Sequence, residues 1–554
     1  MSQSQRQSNG GDLLVEVLRA HGCDTVFGIV SVHNLPLVEA VDRSADVRFV
    51  PVRHEAAAVN AADGYARATG RLGCALTSTG TGAGNAAGSL IESLSAGTSV
   101  LHVTGQIDSP YLGLGRGFIH ETKDQLGMLT AVSKHAVRIG SAAEAEGVLL
   151  AAAQAALTAP GGPASVEWPI DLQYAAQRPR PLTALDTAPV TALPDGLDAA
   201  AELLAAARRP VIWAGGGAAR AGEPLRALAE LLGAGLFTSN SGRGAVGEDH
   251  PLVIGNYATS PGGKALLAEA DAILSVGTHF RSNETGDYRL QLPAAHVQVD
   301  LDPAALGRVY PATVGLAGES GAVLAALLQK LSGRQLSVEE GWSARATETR
   351  EEVRERQRWA IGPQAAVCEA IRAHYPAASV IARDVTIPSS TWGNRLLPLT
   401  DPATNVFPRG GGIGQGLAMA IGAACGRPEV PTVLIAGDGG FAVHLGELLT
   451  VAQERPRLTL AVFNDGGYGV LRNMQEAGGG DRHGVDLTAP AFDRLAAAVG
   501  IDYARIGAEA EADPVFKAAA AAEGPVLVEI DLAALGPMNQ PFTPPVSVPN
   551  QEGA

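Results

Sequence analysis

Again and again along this chain a short run of apolar, often β-branched residues gives way to a stretch rich in Ala and Leu, and most of these runs end in a glycine turn. They read VRFVPV, GCALTSTGTG, SVLHVTG, PVIWAGGG, AILSVG, HVQVDL, SVIARDV, TVLIAGDGG and LTLAVFNDGG. A strand that is apolar almost throughout is buried on both faces, and burial on both faces calls for helices above and below the sheet. The pattern therefore predicts an α/β protein built from mainly parallel sheets flanked by helices. At 554 residues the chain exceeds what a single core organises, so several domains are expected. With 46% hydrophobic and 18% charged residues there is ample apolar surface to bury, and a disordered chain is excluded.

Two segments interrupt the alternation. Residues 173–195 are Pro-rich and non-periodic, and residues 332–360 contain the mixed-charge run TETREEVRERQR, which reads as a solvated connecting helix. Treating both as linkers gives expected domains at 12–175, 190–331 and 360–545. The outer two echo one another. GPASVEWPIDL at 162–172 and GPVLVEIDL at 524–532 each enter a strand through Gly-Pro, which suggests related modules around a different central one.

Function classes narrow with charge. The formal net charge of −16 argues against binding nucleic acid through its phosphates. Cys23, Cys74, Cys368 and Cys425 show no metal-ligand spacing and read as small core residues of a reducing compartment. No apolar run is long enough to span a membrane and the polar start lacks a signal-peptide core, so a cytoplasmic protein without membrane association is expected.

The strongest chemical signal is a pair of strand ends. TVLIA runs into Gly437-Asp438-Gly439-Gly440, and LTLAVF into Asn464-Asp465-Gly466-Gly467. An Asp and an Asn at the carboxyl ends of successive strands lie in the crevice where open α/β sheets bind ligands. With a backbone carbonyl near Gly466 they form a hard oxygen set suited to Mg²⁺ and phosphate. Gly439 and Gly440 keep side chains away, so that backbone amides can face an anion. A plain pair of tight turns is the competing explanation.

Two further segments stand out. In RHEAAAVNAADGYARATG (53–70), Glu55 opens an Ala-rich helix, either as a cap or as a working carboxylate. In PRGGGIGQGLAMAIGAA (408–424), three glycines admit close backbone approach and Ile413 is the one bulky side chain of the turn. A rival class, a dinucleotide-dependent oxidoreductase, rests on the Gly-x-Gly-x-x-Ala run from Gly82 to Ala87 with Asp108 downstream. That reading leaves Glu55, Asp438 and Asn464 unexplained.

Taken together, GDGG with NDGG, the RHE…DGYAR-x-TG helix and GGGIGQGLAMAIGA resemble the thiamine diphosphate-dependent superfamily of acetolactate synthase, pyruvate decarboxylase and benzoylformate decarboxylase, over about residues 12–545. The resemblance implies a pyrimidine-binding domain, a central Rossmann-like domain and a diphosphate-binding domain. It also implies a homodimer or homotetramer with active sites between subunits, using thiamine diphosphate and Mg²⁺. Glu55 would bond the aminopyrimidine ring and drive the cofactor's activation. Ile413 would hold the cofactor bent, and the Gly411 carbonyl would accept from its amino group. Asp438, Asn464 and Gly466 would hold the metal, with Thr386, Gly439 and Gly440 around the diphosphate. FAD or a nucleotide at Gly215-Gly216-Gly217 is disfavoured against a simple strand-to-helix turn.

The implied substrate is a 2-oxo acid that is decarboxylated, with ligation of the acyl fragment to a second carbonyl as an extension; pyruvate carboligation, the acetolactate synthase reaction, is the alternative. Several pocket positions depart from the acetolactate synthase pattern. Ser31-Val32-His33 stands for Gly-Gly-Ala, Ile119-His120 for Phe-Gln, Asn283 for an Arg and Met474 for a Trp. The two histidines of benzoylformate decarboxylase align with Ser78 and Asn283. FG-I-x-x-VH at 27–33 and GRG-x-x-HE at 115–121 are similar to 2-oxo acid decarboxylases of arginine catabolism, which points to a polar substrate. His33 and His120 are the candidate proton-transfer residues. Lys134 and His135 match a position near the active-site entrance, without an assigned role. The Pro-rich tail at 536–550 reads as a flap over the pocket.

Overall fold

A computed structural model describes residues 7–187 and 192–544. The expected boundaries at 190 and 545, and the last part of the tail at 545–550, lie outside the described residues.

Three parallel sheets of six strands each organise the chain. The first contains β1 (Thr25–Gly28), β2 (Arg48–Pro51), β3 (Gly73–Thr77), β4 (Val100–Gln106), β5 (His135–Arg138) and β6 (Ala164–Pro169) in the order β2-β1-β3-β4-β6-β5. The second contains β7 (Pro210–Ala214), β8 (Gly235–Thr238), β9 (Val253–Gly255), β10 (Ala272–Val276), β11 (Ala295–Asp300) and β12 (Val314–Ala317) in the order β12-β11-β10-β7-β8-β9. The third contains β13 (Val380–Arg383), β14 (Asn405–Val406), β15 (Thr432–Gly437), β16 (Leu458–Asn464), β17 (Asp502–Ile506) and β18 (Val526–Asp531) in the order β14-β13-β15-β16-β18-β17. Counted from their own first strands, the outer two sheets have the same order. The Gly-Pro echo thus reflects a shared topology, around a central sheet wound differently.

The strand runs fold as their composition requires. β3, β4 and β6 are buried at every residue, as are β7 and β10, because helices cover both faces. Order reverses between β1 and β3 in the first sheet and between β13 and β15 in the third. Connections leave toward opposite faces at such points and open a crevice at the strands' carboxyl ends. Every candidate residue given a role on the outer two domains lies in or beside the loops that leave these ends, whereas Lys134 and His135 stand at the amino end of β5.

The charged run at 347–358 belongs to a helix, Trp342–Ile361, that does more than connect. One face is buried: Trp342, Ala346 and Val353 join the central core, and the Trp342 indole N–H donates to the Pro210 carbonyl at 2.8 Å. The mixed charges occupy the remaining face, which hid the apolar stripe from a reading by composition.

The first and third domains also meet within the chain. The Glu55 helix (Glu55–Thr69) crosses the helix Gly416–Gly426 so closely that a Cβ on Gly64 would strike the Met419 carbonyl, and one on Gly422 the Ala61 carbonyl. Both helices are therefore rich in Ala and Gly on their contacting faces. Cys23, Cys74 and Cys368 are buried and Cys425 half-buried, all as free thiols. Among the described residues no helix is long and apolar enough to cross a membrane.

Candidate active site

At the crevice of the first sheet, Glu55 begins its helix behind His54, whose ring Nδ1 accepts the Ala56 amide at 3.1 Å and caps the turn. The half-buried Glu55 carboxylate accepts the Asn85 side-chain amide at 3.0 Å. Gly82 lies against it, since a Cβ there would stand 2.9 Å from Ser78 Cβ and 3.1 Å from Glu55 Oε1. The Gly-x-Gly-x-x-Ala run thus sits in the helix Thr81–Ala96, where Gly82 and Asn85 attend to Glu55. Asp108 lies beside His33 instead of forming a nucleotide site with that run.

From Ser78 the polar chain continues outward. Its hydroxyl accepts that of Ser31 at 2.8 Å, and Ser31 Oγ in turn accepts the His33 amide at 3.0 Å. His33 is buried and faces His120 edge-on, with ring centroids 5.4 Å apart. Its Nδ1 is buried without a hydrogen-bond partner. Burial, reinforced by His120 and opposed by Asp108, holds the His33 imidazole below its ordinary pKa. His120 adopts φ = 66°, a left-handed backbone uncommon outside glycine, and its carbonyl abuts Gly80. Val32 and Ile119, beside these histidines, are 63% and 66% exposed.

On the third domain, Asp438 is buried at the end of β15, and its Oδ1 accepts the Asp465 amide at 3.3 Å. Burial raises the pKa of both acids, and the Asp438 charge adds to the effect on Asp465, whose value is pushed up to about 6. Asn464 donates its amide N–H to Glu529 Oε1 at 2.7 Å, which leaves its Oδ1 toward the Gly466 amide. Glu529 is itself held by the Tyr503 hydroxyl at 2.6 Å. Gly466 has φ = 75° and open space around it. A Cβ on Gly437 would lie 2.9 Å from Thr386 Oγ1, and one on Gly439 2.8 Å from the Tyr468 ring. Gly439 is thus required by Tyr468 packing as well as by an open loop.

The glycine-rich loop is fastened from two sides. Asp384, buried at the end of β13, accepts the Gly414 and Gly416 amides at 2.9 and 3.0 Å. Glu92 accepts the Arg409 and Gly410 amides at 2.6 and 2.7 Å and pairs with Arg67, which also binds Asp63. Arg67 reaches the Phe407 carbonyl as well, so the DGYAR segment braces this loop. Between these anchors Gly411 and Gly414 have positive φ and Ile413 stays 41% exposed. Gln415 Oε1 is buried without a partner. Asn283 shares a cavity of about 150 Å³ with Asp384 and Gly411, and Met474 lies half-buried on the helix Gly469–Ala477.

Asp384, Glu92 and Glu529 were not singled out from sequence. Asp384 alone carried a usable signal, because it follows the apolar run SVIAR much as Asp438 follows TVLIAG. Two other motifs make packing contacts. Gly215 and Gly217 sit against the Gly277 backbone, where a Cβ would collide, and Lys134 donates to the Ala155 and Thr158 carbonyls at a helix end.

The donor set fits the implied ligands. A buried carboxylate and an Asn464 amide whose N–H is held by Glu529, leaving its oxygen to face the site, suit Mg²⁺, whereas the Gly466 carbonyl already accepts from the Leu487 amide at 2.8 Å and from Arg472 at 3.3 Å; the partnerless Gln415 oxygen lies in the loop meant to face the cofactor. Comparison with known proteins bears on the thiamine diphosphate part of this fit. Residues 8–128 match the family described as "Thiamine pyrophosphate enzyme, N-terminal TPP binding domain", 197–327 its central domain and 388–530 its C-terminal TPP binding domain. The chain is 34% identical to the "Probable 2-ketoarginine decarboxylase AruI" of Pseudomonas aeruginosa, covering 85% of this chain and 84% of that protein. It is 30% identical to the acetolactate synthase isozyme 2 large subunit of Escherichia coli K12, over 97% and 98% of the two chains. A probable acetolactate synthase large subunit of Methanocaldococcus jannaschii is 29% identical over 94% and 91%. The rival dinucleotide-dependent reading falls with these matches, and the chain belongs to the thiamine pyrophosphate enzymes.

Proposed function

We propose that the protein decarboxylates a 2-oxo acid bearing a polar or basic side chain, using thiamine diphosphate and Mg²⁺. The observation that carries this reading is His33: a buried imidazole with a partnerless Nδ1, paired with His120 at the same strand ends as Glu55. Similarity to a probable 2-ketoarginine decarboxylase supports the substrate class.

Thiamine diphosphate supplies an electron sink for the pair released when carbon dioxide leaves a 2-oxo acid. Asp438, Asn464 and the Gly466 carbonyl would hold Mg²⁺ against the diphosphate, with Thr386 and the amides of Gly439 and Gly440 around it. Ile413 and the Gly411 carbonyl would set the cofactor's bend. Glu55 would exchange a proton with the pyrimidine N1′, its carboxylate steadied by Asn85. His33 and His120 would hold and return the substrate proton, while Val32, Ile119, Asn283 and Met474 bound the pocket. Burial favours a neutral His33, which suits it to accept a proton.

A second copy of the chain would complete each site. Val30, Val32 and Ile119 on the first domain and Ile413, Val443 and Leu471 on the third are all more than 40% exposed around the two crevices. A dimer or tetramer that joins the first domain of one subunit to the third of another would cover them. The described tail residues include Phe542, whose carbonyl accepts the Asn473 side chain at 2.8 Å, consistent with a flap beside the Met474 helix.

Product analysis with a panel of 2-oxo acids tests the reading. Carbon dioxide and an aldehyde should form fastest from acids with a guanidinium or amino side chain. Conversion of pyruvate to acetolactate as the fastest reaction would overturn it in favour of a synthase.

A further inference from the structure

A basic 2-oxo acid needs a carboxylate within reach of its positive end as well as groups at the reacting carbon. Most acids around the crevice of the first domain are already committed. Glu55 accepts from Asn85 at 3.0 Å. Glu121 accepts the Gly115, Gly117 and Phe118 amides and so shapes its own loop. Glu167 is buried and pairs with Arg138 at 2.6 Å. Asp171 accepts the Ser109 amide at 2.8 Å and the Ser109 hydroxyl at 2.5 Å.

Asp108 differs from these. It stands just beyond the carboxyl end of β4 and opens the turn Ser109–Tyr111, yet its side chain accepts no capping hydrogen bond. Among the described residues no hydrogen bond or ion pair takes up this half-buried carboxylate. Several contacts bring it to the histidine pair. Gly105, the penultimate residue of β4, packs so closely on the His33 loop that a Cβ there would lie 2.3 Å from the His33 carbonyl oxygen. One short helix, Ile170–Tyr174, fastens both loops: Asp171 holds Ser109, and the buried Gln173 donates to the His33 carbonyl at 2.8 Å. Tyr111 stacks on Phe118 with ring centroids 5.4 Å apart, which draws together the two ends of the loop that carries Asp108 and His120. In keeping with this placement, the Asp108 charge favours a protonated His33 and opposes the effect of burial.

We infer that Asp108 is a specificity-determining residue, whose carboxylate receives the guanidinium or ammonium end of a 2-oxo acid with its oxo carbon at His33 and His120. The inference rests on the substrate class proposed above and names the group that selects it. A short aliphatic chain separates the cationic end of such an acid from its reacting carbon, so the counter-ion belongs beside the proton-transfer pair and not within it. The exposed Val32 and Ile119 side chains offer apolar surface to the methylenes between. A carboxylate with no other partner gives up no protein contact when the cation arrives, and the charge-assisted pair it forms is stronger than a neutral hydrogen bond.

The test compares kcat/KM for 2-oxo-5-guanidinopentanoate with that for the neutral 2-oxohexanoate, on holoenzyme saturated with thiamine diphosphate and Mg²⁺. The wild type should prefer the cationic acid. Asp108→Asn should lower this preference ratio about tenfold or more, the effect of losing a charge-assisted contact. Asp108→Glu, which keeps the charge, should retain more of the preference than Asp108→Asn does. Competitive inhibition by 5-guanidinopentanoate, which lacks the oxo group, should weaken in Asp108→Asn by a larger factor than inhibition by hexanoate. A wild-type preference that survives intact in Asp108→Asn, or an equal loss in Asp108→Glu and Asp108→Asn, would overturn the Asp108 assignment and leave the substrate class standing. Absence of the preference in the wild type would overturn both.

Discussion

His33 and His120 meet edge to face, their ring planes at 88° and centroids 5.4 Å apart, although 86 residues and three strands intervene. Burial and the neighbouring ring both disfavour a charged His33, so it takes a proton at lower pH than an ordinary imidazole. If neutral His33 is the active form, activity should persist on the acid side down to that lowered pKa and then fall. His33→Gln should remove this acidic limb from the pH profile of kcat/KM. An unchanged profile would exclude His33 from proton transfer.

Glu55→Gln should cut kcat by about 10²-fold or more, the usual effect of losing a general acid or base, without loss of folding. Circular dichroism and carbon dioxide release on the same sample separate the two effects. Wild-type turnover in this variant would remove Glu55 from the mechanism.

Asp438→Ala should weaken thiamine diphosphate retention at saturating Mg²⁺, while Glu529→Gln should do so more mildly. Glu529 acts by orienting the Asn464 amide, and Gln can still accept from it. Equilibrium dialysis of the cofactor reads both. Equal affinity for wild type and Asp438→Ala would contradict the metal assignment.

Mixing inactive Glu55→Gln with inactive Asp438→Ala after dissociation and reassembly tests whether sites lie between subunits. Random pairing should restore roughly a quarter of wild-type activity, since half the dimers would be mixed and one site in each would be intact. No recovery from reassembled mixed dimers would place each site within one chain.

Buried His102 is held between Thr77 and Ser165, with a pKa lowered to about 4 from 6.5. The unfolded chain therefore binds a proton through this window that the folded chain refuses. Stability should be complete above pH 6.5 and decline by about 3 kcal/mol toward pH 4. His102→Gln should flatten that decline in urea titrations; an unaltered acid slope would assign the loss to other groups.

The contact between the Glu55 helix and the helix Gly416–Gly426 should be intolerant of volume. Gly422→Val should destabilise the protein by about 2 kcal/mol or more, because the added carbons meet the Ala61 backbone. Cofactor affinity should fall with it, since the same helix pair supports Glu55 and the Ile413 loop. Wild-type stability would show that the helices can separate without consequence.

The outer domains were legible where chemistry is local. Asp438 and Asn464 follow apolar runs whose length and β-branched composition mark strands, so their strand-end position needed no tertiary information. Glu55 was legible as a helix start, and Ile413 as the lone bulky residue in a glycine turn. The helix Trp342–Ile361 was legible as a helix but not as part of the central core, because its apolar residues are sparse among charges. Glu92 and Glu529 gave no sign at all: each is one acid in an ordinary strand or helix, and its role arises from a partner hundreds or tens of residues away.

Sequence by itself determined the α/β class, the parallel strands and the strand-end or helix-start positions of the candidate residues, because burial on two faces and glycine at strand ends are written into short windows of residues. Tertiary structure alone decided that His33 faces His120, that Asp384 and Glu92 clasp the glycine-rich loop, and that Glu529 orients the Asn464 amide. These relationships depend on how separate sheets and helices pack, and packing brings together positions whose spacing along the chain carries no periodic signal.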